Sequence, residues 1–348
     1  MIRITTNGTL YSYKSQLMNS TNKLNDAYNT VLTGRRFNAY SEDPASATQA
    51  FRLRSSLATA DKQATNNDTV IKKFSTAWDI IGDVYEDLTI EMGKVPALEG
   101  SNDTNLSVLP ELGKILKSGA AAIVQDMNAK YGDNFIFGGA ETLEVPFVLN
   151  EETGELTYRG LNVDKMVKND PNDPNTYDNI NDSLYVDIGL GFQEANGEII
   201  SSSAYDAALN GLDFLGYGTE DGTPDGTPNN IVSIMWKMGE IFEGYDIDTQ
   251  TWNNGTREEA QELMAKLEDA ADNLNEQYTK LDADTKYLYT NLDRLTTTKD
   301  NLNEQIVNIE DVDKAQAIMD LVWAQQAYNA ALKIGTNIIP QSLLDYMN

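Results

Sequence analysis

Residues Leu267–Ile309 read LEDAADN LNEQYTK LDADTKY LYTNLDR LTTTKDN LNEQIVN I, with a large aliphatic side chain at Leu267, Leu274, Leu281, Leu288, Leu295, Leu302 and Ile309. An apolar return every seventh residue predicts a helix that buries one seam against other helices. The seam is uneven. Four residues beyond each ladder member the positions include Leu292 and Ile306 but also Thr285 and Lys299. From Thr256 to about Asn308 the composition favours helix throughout.

A seam of this length needs a partner, and the other end of the chain offers one. The same spacing recurs at Leu10, Leu17, Leu24 and Val31, and again at Phe74, Ile81, Leu88 and Val95, flanked by Ile71, Trp78, Tyr85 and Met92. Residues 1–8 read as extended, with Ile2 and Ile4 alternating against polar neighbours. A helix then runs from a Thr6 or Thr9 cap to Leu32, where Gly34 stops it. Ser41-Glu42-Asp43-Pro44 is a favourable helix start. It predicts one long helix from Ala45 to about Val95, with soft points at Gly82 and Gly93 and a stop at Pro96. Residues 97–107 read as a polar turn and Pro110 to about Lys130 as a further helix. A last helix follows Glu310-Asp311-Val312-Asp313 and runs through Ile318, Leu321, Val322, Trp323, Tyr328 and Leu332.

Between the ladders the period changes. Asn134-Phe135-Ile136-Phe137 ends at Gly138 and Gly139, read as the bend where helix hands over to sheet. Pro146–Leu149 and Leu156–Arg159 flank Asn150–Gly154 as a β-hairpin, and Leu184–Ile188 alternates like a strand. Residues 203–216 and 231–243 read as short helices beside the sheet, and Thr219–Asn230 as a surface loop. Five of the nine prolines fall in residues 141–250, which argues against a helical bundle there. The expected fold is therefore mainly α with an inserted β-rich domain, the N- and C-terminal helices pairing into a coiled-coil-like rod. The expected divisions are 1–44 with 309–348 as a paired-helix assembly domain, 45–134 with 256–308 as a helical rod, and 135–255 as an outward-facing β-rich or mixed insertion.

Composition narrows the chemistry. The 348 residues hold no cysteine and no histidine. That removes thiolate nucleophiles, disulfides, cysteine zinc sites, and the commonest general base and metal ligand. Asp246-Ile247-Asp248 faintly resembles a calcium loop, but Thr251 stands where the glycine is required and Arg257 where the bidentate glutamate is. The expectation is no enzyme, no catalytic or metal-binding residues and no cofactor. The net charge is −28, unevenly spread: residues 1–60 hold seven Lys/Arg against three Asp/Glu, and residues 141–250 four against twenty-two. So acidic a surface serves solubility and repels nucleic acid and anionic membranes. No apolar run is long enough to span a bilayer, and Met1–Gly8 has no apolar core of a cleaved signal peptide. The last helix is apolar on more than one face, with Ile334, Ile338, Ile339 and Leu343 near the end. Chain ends are ordinarily polar and frayed, so an apolar one asks for a partner.

Leu32-Thr33-Gly34-Arg35-Arg36-Phe37-Asn38, then Ser41-Glu42-Asp43-Pro44-Ala45-Ser46-Ala47, resembles the N-terminal signature of bacterial flagellins and their hook-associated relatives. Ile309–Ala315, Gln326–Leu332 and Leu343-Leu344-Asp345-Tyr346 are similar to the C-terminus of the same superfamily. Tyr131–Ala140 with Pro146-Phe147 and Tyr158-Arg159-Gly160, and the ending Ser342–Met347, resemble its hook–filament junction branch more than its filament subunits. Residues 161–255 resemble no known family.

The resemblance implies a structural adaptor of the bacterial flagellum, at the hook–filament junction outside the cell. Its subunits would form a ring between hook-associated protein 1 and the flagellin filament. They would leave through the flagellar type III export apparatus with an export chaperone, without a cleaved signal peptide. It implies terminal helices that order on assembly, and neither nucleic acid nor membrane as partner. The expected assembly interface comprises Leu10, Leu17, Leu24, Val31, Leu321, Trp323, Tyr328, Leu332, Leu343 and Leu344, with Arg35, Arg36 and Asp43 making ion pairs between subunits. Alternatives are a filament subunit, a free-standing helical bundle, or an adhesin whose function lies in residues 161–255.

Overall fold

The structure, a computed structural model, describes residues 6–101, 106–167, 176–177, 182–220 and 226–338. Among them the helices are α1 (Thr6–Thr33), α2 (Pro44–Glu86), α3 (Lys94–Ser101), α4 (Leu109–Met127), α5 (Gly211–Leu215), α6 (Ile231–Glu243), α7 (Arg257–Glu310) and α8 (Lys314–Ile338). The strands β1 to β11 are Lys130–Tyr131, Asn134–Phe135, Phe147–Leu149, Leu156–Tyr158, Leu161–Asn162, Tyr185–Val186, Glu194–Ala195, Glu198–Ile199, Tyr205–Asp206, Tyr245–Asp246 and Thr251–Trp252. Two compact units form: Met1–Asp61 with Thr296–Asn348, and Lys62–Leu295. Helices α2 and α7 contribute to both. The paired ends 1–44 and 309–348 lie wholly in the first unit, and 135–255 wholly in the second. The first unit holds ten Lys/Arg against eleven Asp/Glu, the second sixteen against forty-three. The surplus negative charge is thus carried by the second.

In the first unit, α1 begins at Thr6, so residues 6–8 are helical where the alternating pattern suggests extended chain; residues 1–5 lie outside the description. Gly34 ends α1 with φ +67°, a conformation that costs glycine no Cβ clash. Asp43 caps α2, accepting from the Ser46 amide at 3.1 Å. Asp313 caps α8 by accepting from the amides of Ala315 and Gln316. Two ion pairs tie α2 to α7 here. Arg54 reaches Glu310 and Lys299 reaches Asp61, each at 2.5 Å.

The second unit has a continuous apolar core drawn from α2, α4, α6, α7 and the strands. Its centre is α6, buried over nearly its whole surface from Ile231 to Phe242. Its polar side chains gather in one narrow stripe, Ser233, Lys237 and Glu240, and a helix apolar around the rest of its girth belongs inside a fold, not beside a sheet. Its position corrects the placement that the sequence pattern suggests. Asn230 caps it through the amides of Val232 and Ser233, while its own Nδ2 donates to the Gly216 carbonyl at 2.7 Å. The strands are each two or three residues long. The largest sheet is β3-β4-β5, antiparallel, with Phe147 opposite Tyr158. Both faces of the Asn128 amide hold Phe147, one donating to its carbonyl and one accepting from its amide.

The long helix expected to reach Val95 stops earlier. After Glu86 comes one π-helical turn, Asp87–Glu91, closed by the Met92 amide on the Asp87 carbonyl at 2.9 Å. The backbone then folds back so tightly that a Cβ on Gly93 would stand 2.2 Å from the Leu88 carbonyl oxygen. Pro96 does not end this helix. It sits in the first turn of α3, where its missing N–H is no loss. Residues 97–101, expected as polar turn, are therefore helical. Of residues 203–216 only Gly211–Leu215 is α-helical.

Candidate assembly interface

Helices α1 and α8 lie side by side and antiparallel in the first unit. Tyr13 meets Gly335 so closely that a Cβ on Gly335 would fall 1.9 Å from the Tyr13 hydroxyl oxygen. At the other end Val31, Gly34, Val312, Ala317 and Ile318 line one small cleft. Between them Leu17, Leu24, Val31, Leu321 and Tyr328 are half-buried, and among the described residues of α8 only Ala317 and Gly335 are buried. Two helices alone cannot enclose a seam: among their described residues no large apolar side chain is fully buried.

The remaining predicted residues divide. Leu10, Trp323 and Leu332 are exposed, Trp323 at 75%. Leu343 and Leu344 lie outside the described residues. The structure adds a stripe that the sequence reading missed. Tyr11, Met18 and Leu32 repeat the Leu10 ladder one residue on and are exposed at 79%, 65% and 79%. On α8, Ile318, Met319, Val322 and Ile334 are exposed beside Trp323. The signal was present as a second seven-residue spacing, but the intervening Asn25 breaks it. Phe51 and Tyr40 extend the apolar exposure onto α2 and the loop before it. Large apolar side chains exposed at intervals along two helices make this a candidate docking face.

Arg35 and Arg36 sit where the two chain ends meet. Their backbone makes the hydrogen bonds that join them to the junction of α7 and α8. Arg35 bridges Asp311, the Arg36 amide donates to the Glu310 carbonyl at 2.6 Å, and the Val312 amide to the Gly34 carbonyl at 3.0 Å. Among the described residues neither guanidinium makes an ion pair. Asp43 is engaged within its own chain as the α2 cap. Hydrogen bonds from Ser46, with the nearby charge of Arg36, hold its carboxyl below the usual range. Glu310, nearly buried under Arg54, is a further junction residue for which the sequence pattern gave no sign.

Gly138 and Gly139 stand in the second unit, beyond the β1–β2 hairpin. Gly139 has φ +70°, and a Cβ on Gly138 would lie 2.1 Å from the Glu141 carbonyl oxygen. The run is stitched to Leu209–Gly211 by the Gly139 amide on the Leu209 carbonyl and the Gly211 amide on the Phe137 carbonyl, both 2.9 Å. The buried Tyr158 hydroxyl donates to the same Phe137 carbonyl at 3.0 Å. Among the described residues no group of three or more Asp or Glu is placed to hold a metal ion, and no helix is long and apolar enough to cross a membrane.

Residues 264–347 match the bacterial flagellin C-terminal helical region. The chain carries a flagellin-type C-terminus. That match takes in most of α7 and all of α8, and with them Leu321, Trp323, Tyr328, Leu332, Leu343 and Leu344. Among solved structures the chain is similar to a protein of Vibrio parahaemolyticus assigned as a flagellar hook-associated protein. The TM-score is 0.55 and the identity 16%, over 78% of this chain and 100% of that one. A second similar structure is FlgL of Bacillus cereus, with TM-score 0.43 and identity 17%, over 76% of this chain and 99% of that one. The first of these likenesses shows a common fold. No curated protein matches the chain in sequence. The match takes in the C-terminal ladder from Leu267 to Ile309.

Proposed function

We propose that this chain is a structural subunit of the hook–filament junction of the bacterial flagellum, of the hook-associated protein 3 kind. Identical subunits form a ring between hook-associated protein 1 and the flagellin filament, after export through the flagellar type III apparatus with a chaperone. The observation that carries this reading is the exposed apolar stripe Tyr11, Met18, Leu32, Ile318, Val322 and Trp323 on helices built from both chain ends. Such helices are half of a bundle, and neighbouring subunits supply the other half. The guanidinium groups of Arg35 and Arg36, which make no ion pair among the described residues, suit carboxylates of a neighbour. The flagellin-type C-terminus and the shared fold support the flagellar assignment.

Purified protein added to isolated hooks that carry hook-associated protein 1 tests this by electron microscopy. A short layer that stops growing and then accepts flagellin is the expected result. The match to a flagellin C-terminal region also favours a second reading, a filament subunit. Long filaments of this protein alone would establish that reading and remove the first.

A further inference from the structure

A uniform leucine ladder fixes a period but not a register. Sliding α7 by seven residues against α2 would again set leucine where leucine was. In the second unit these two helices run antiparallel, and their contact includes two buried asparagines, Asn67 and Asn291. The Asn67 Nδ2 donates to the Leu288 carbonyl at 2.9 Å, and its Oδ1 accepts from the Asn291 Nδ2 at 3.0 Å. The Asn291 Nδ2 also donates to the Ile188 carbonyl at 2.8 Å, and its Oδ1 accepts from the Arg294 guanidinium at 2.8 Å.

Ile188 belongs to a strap, Asp187–Gly189, that comes from over a hundred residues away and lies on this helix pair. Gln63 donates to the Asp187 carboxylate at 3.1 and 3.2 Å and Asn66 to the Asp187 carbonyl at 3.1 Å. Arg294 donates to the Gly189 carbonyl at 3.0 Å. The Ile188 side chain is completely buried. Gly189 has φ +84°, a conformation that side chains rarely adopt, and a Cβ there would stand 2.9 Å from Leu295 Cδ2.

We propose that Asn67, Asn291 and the strap form a register lock that selects one axial alignment of α2 against α7. In any slipped alignment both amides would be buried among leucines without their partners, which a low-dielectric interior penalises heavily. Neither residue touches the terminal helices, so the proposal does not depend on the assembly reading. The lock makes a rod of repetitive sequence mechanically single-valued.

The absence of cysteine makes the test clean, because paired spin labels can be placed at will. Labels at Thr69 and Tyr289, both exposed, report the α2–α7 alignment by pulsed electron resonance distance measurement. The expected result is one narrow distance in the parent and a split or broadened distribution in Asn67→Leu/Asn291→Leu. The split would be offset by up to about 10 Å, seven residues at the helical rise. Either single substitution should lower the unfolding midpoint more than the double does, since it strands one amide. A single unchanged distance in the double variant, or additive effects of the singles, overturns the proposal. Arg294→Met keeps both asparagines and the apolar core, and covers the case in which the double variant fails to fold. Hydrogen exchange of the Ile188 and Gly189 amides should accelerate at least tenfold in it while α6 stays protected; unchanged exchange counts against the lock.

Discussion

Gly113 on α4 and Gly239 on α6 meet backbone to backbone. A Cβ on Gly113 would stand 2.6 Å from the Gly239 carbonyl oxygen, and one on Gly239 would stand 2.8 Å from the Gly113 carbonyl oxygen. Further along α4, a Cβ on Gly119 would lie 2.6 Å from Met92 and 2.9 Å from Met235 of α6. These small residues let the two helices cross closely, which is how α6 fits at the centre of the second unit.

Alanine at Gly239 therefore sets two effects against each other. Helix propensity alone favours alanine by about 1 kcal/mol. The opposing contact is with backbone, which cannot swing away, and overpacking of that kind typically costs about 1–3 kcal/mol. Clash wins, and Gly239→Ala should lower the urea midpoint without changing the slope of the transition. A midpoint equal to or above that of the parent would show that the crossing is looser than the geometry describes.

Lys73 gives the stability a pH dependence of known sign. Burial pushes its amine down from 10.5 to about 8, with Asp206 pulling weakly the other way. Its one described bond is to the Ala207 carbonyl at 2.9 Å. A lysine that is harder to protonate folded than unfolded destabilises the fold fully below about pH 8. The penalty fades as the pH rises toward 10.5, where the unfolded chain also loses the proton. The shift corresponds to about 3 kcal/mol, of which losing the hydrogen bond would return about 1. Lys73→Met should thus be more stable than the parent by about 2 kcal/mol at pH 7, with the gap closing by pH 10.5. Urea titrations of both proteins at pH 7, 9 and 10.5 decide it. A gap that widens with pH reverses the sign and dismisses the burial argument.

What could be read from residue order was what repeats or punctuates. The α7 ladder, the Gly34 stop and the Asp313 start are local signals with local causes, and they carried the helical ends and the pairing of the termini. The interior of the second unit was harder. In α6 a narrow polar stripe, Ser233, Lys237 and Glu240, marks the outward side, but the rest of Ile231 to Phe242 is apolar, and the pattern of so short a helix does not separate deep burial from a place flanking a sheet. Pro96 looked like a stop because a proline after a helical run usually is one. The break came earlier, from the π-helical turn Asp87–Glu91 and the backbone closing on Leu88 at Gly93, a local conformation of which the soft point at Gly93 was the one sign. Asn67 and Asn291 carry no signal in the sequence, because nothing in either helix names a partner over two hundred residues away. On α1, the ladder Leu10, Leu17, Leu24 and Val31 was legible by spacing. The exposed Tyr11, Met18 and Leu32 needed the structure to show which of two adjacent stripes faces α8.

That face supports a separation of folding from assembly. Trp323 is three-quarters exposed and contributes little to the free monomer, so Trp323→Ser should change its stability by no more than about 0.5 kcal/mol. Buried aromatic anchors, in contrast, dominate interfaces, with losses of about 2 kcal/mol or more on truncation. Addition to hook ends should therefore fall at least tenfold while the unfolding curve stays in place. If addition is unaffected, Trp323 faces water in the assembly also, and the α8 stripe is not the contact.

Charge should govern how fast subunits come together. The unit built from the chain ends is nearly neutral, ten Lys/Arg against eleven Asp/Glu, while the other carries sixteen against forty-three. Apolar contacts would draw subunits together through the first, and like charge on the second would hold them apart until counterions screen it. The screening length falls from about 30 Å at 10 mM salt to about 8 Å at 150 mM, shorter than the width of a small domain. The rate of addition to hook ends should therefore climb over that range and level off beyond it. Self-association driven by opposite charges, for example Arg35 and Arg36 on a neighbour's carboxylates, would respond in the opposite direction. A rate that falls with salt would move the main contact from the apolar stripe to those arginines.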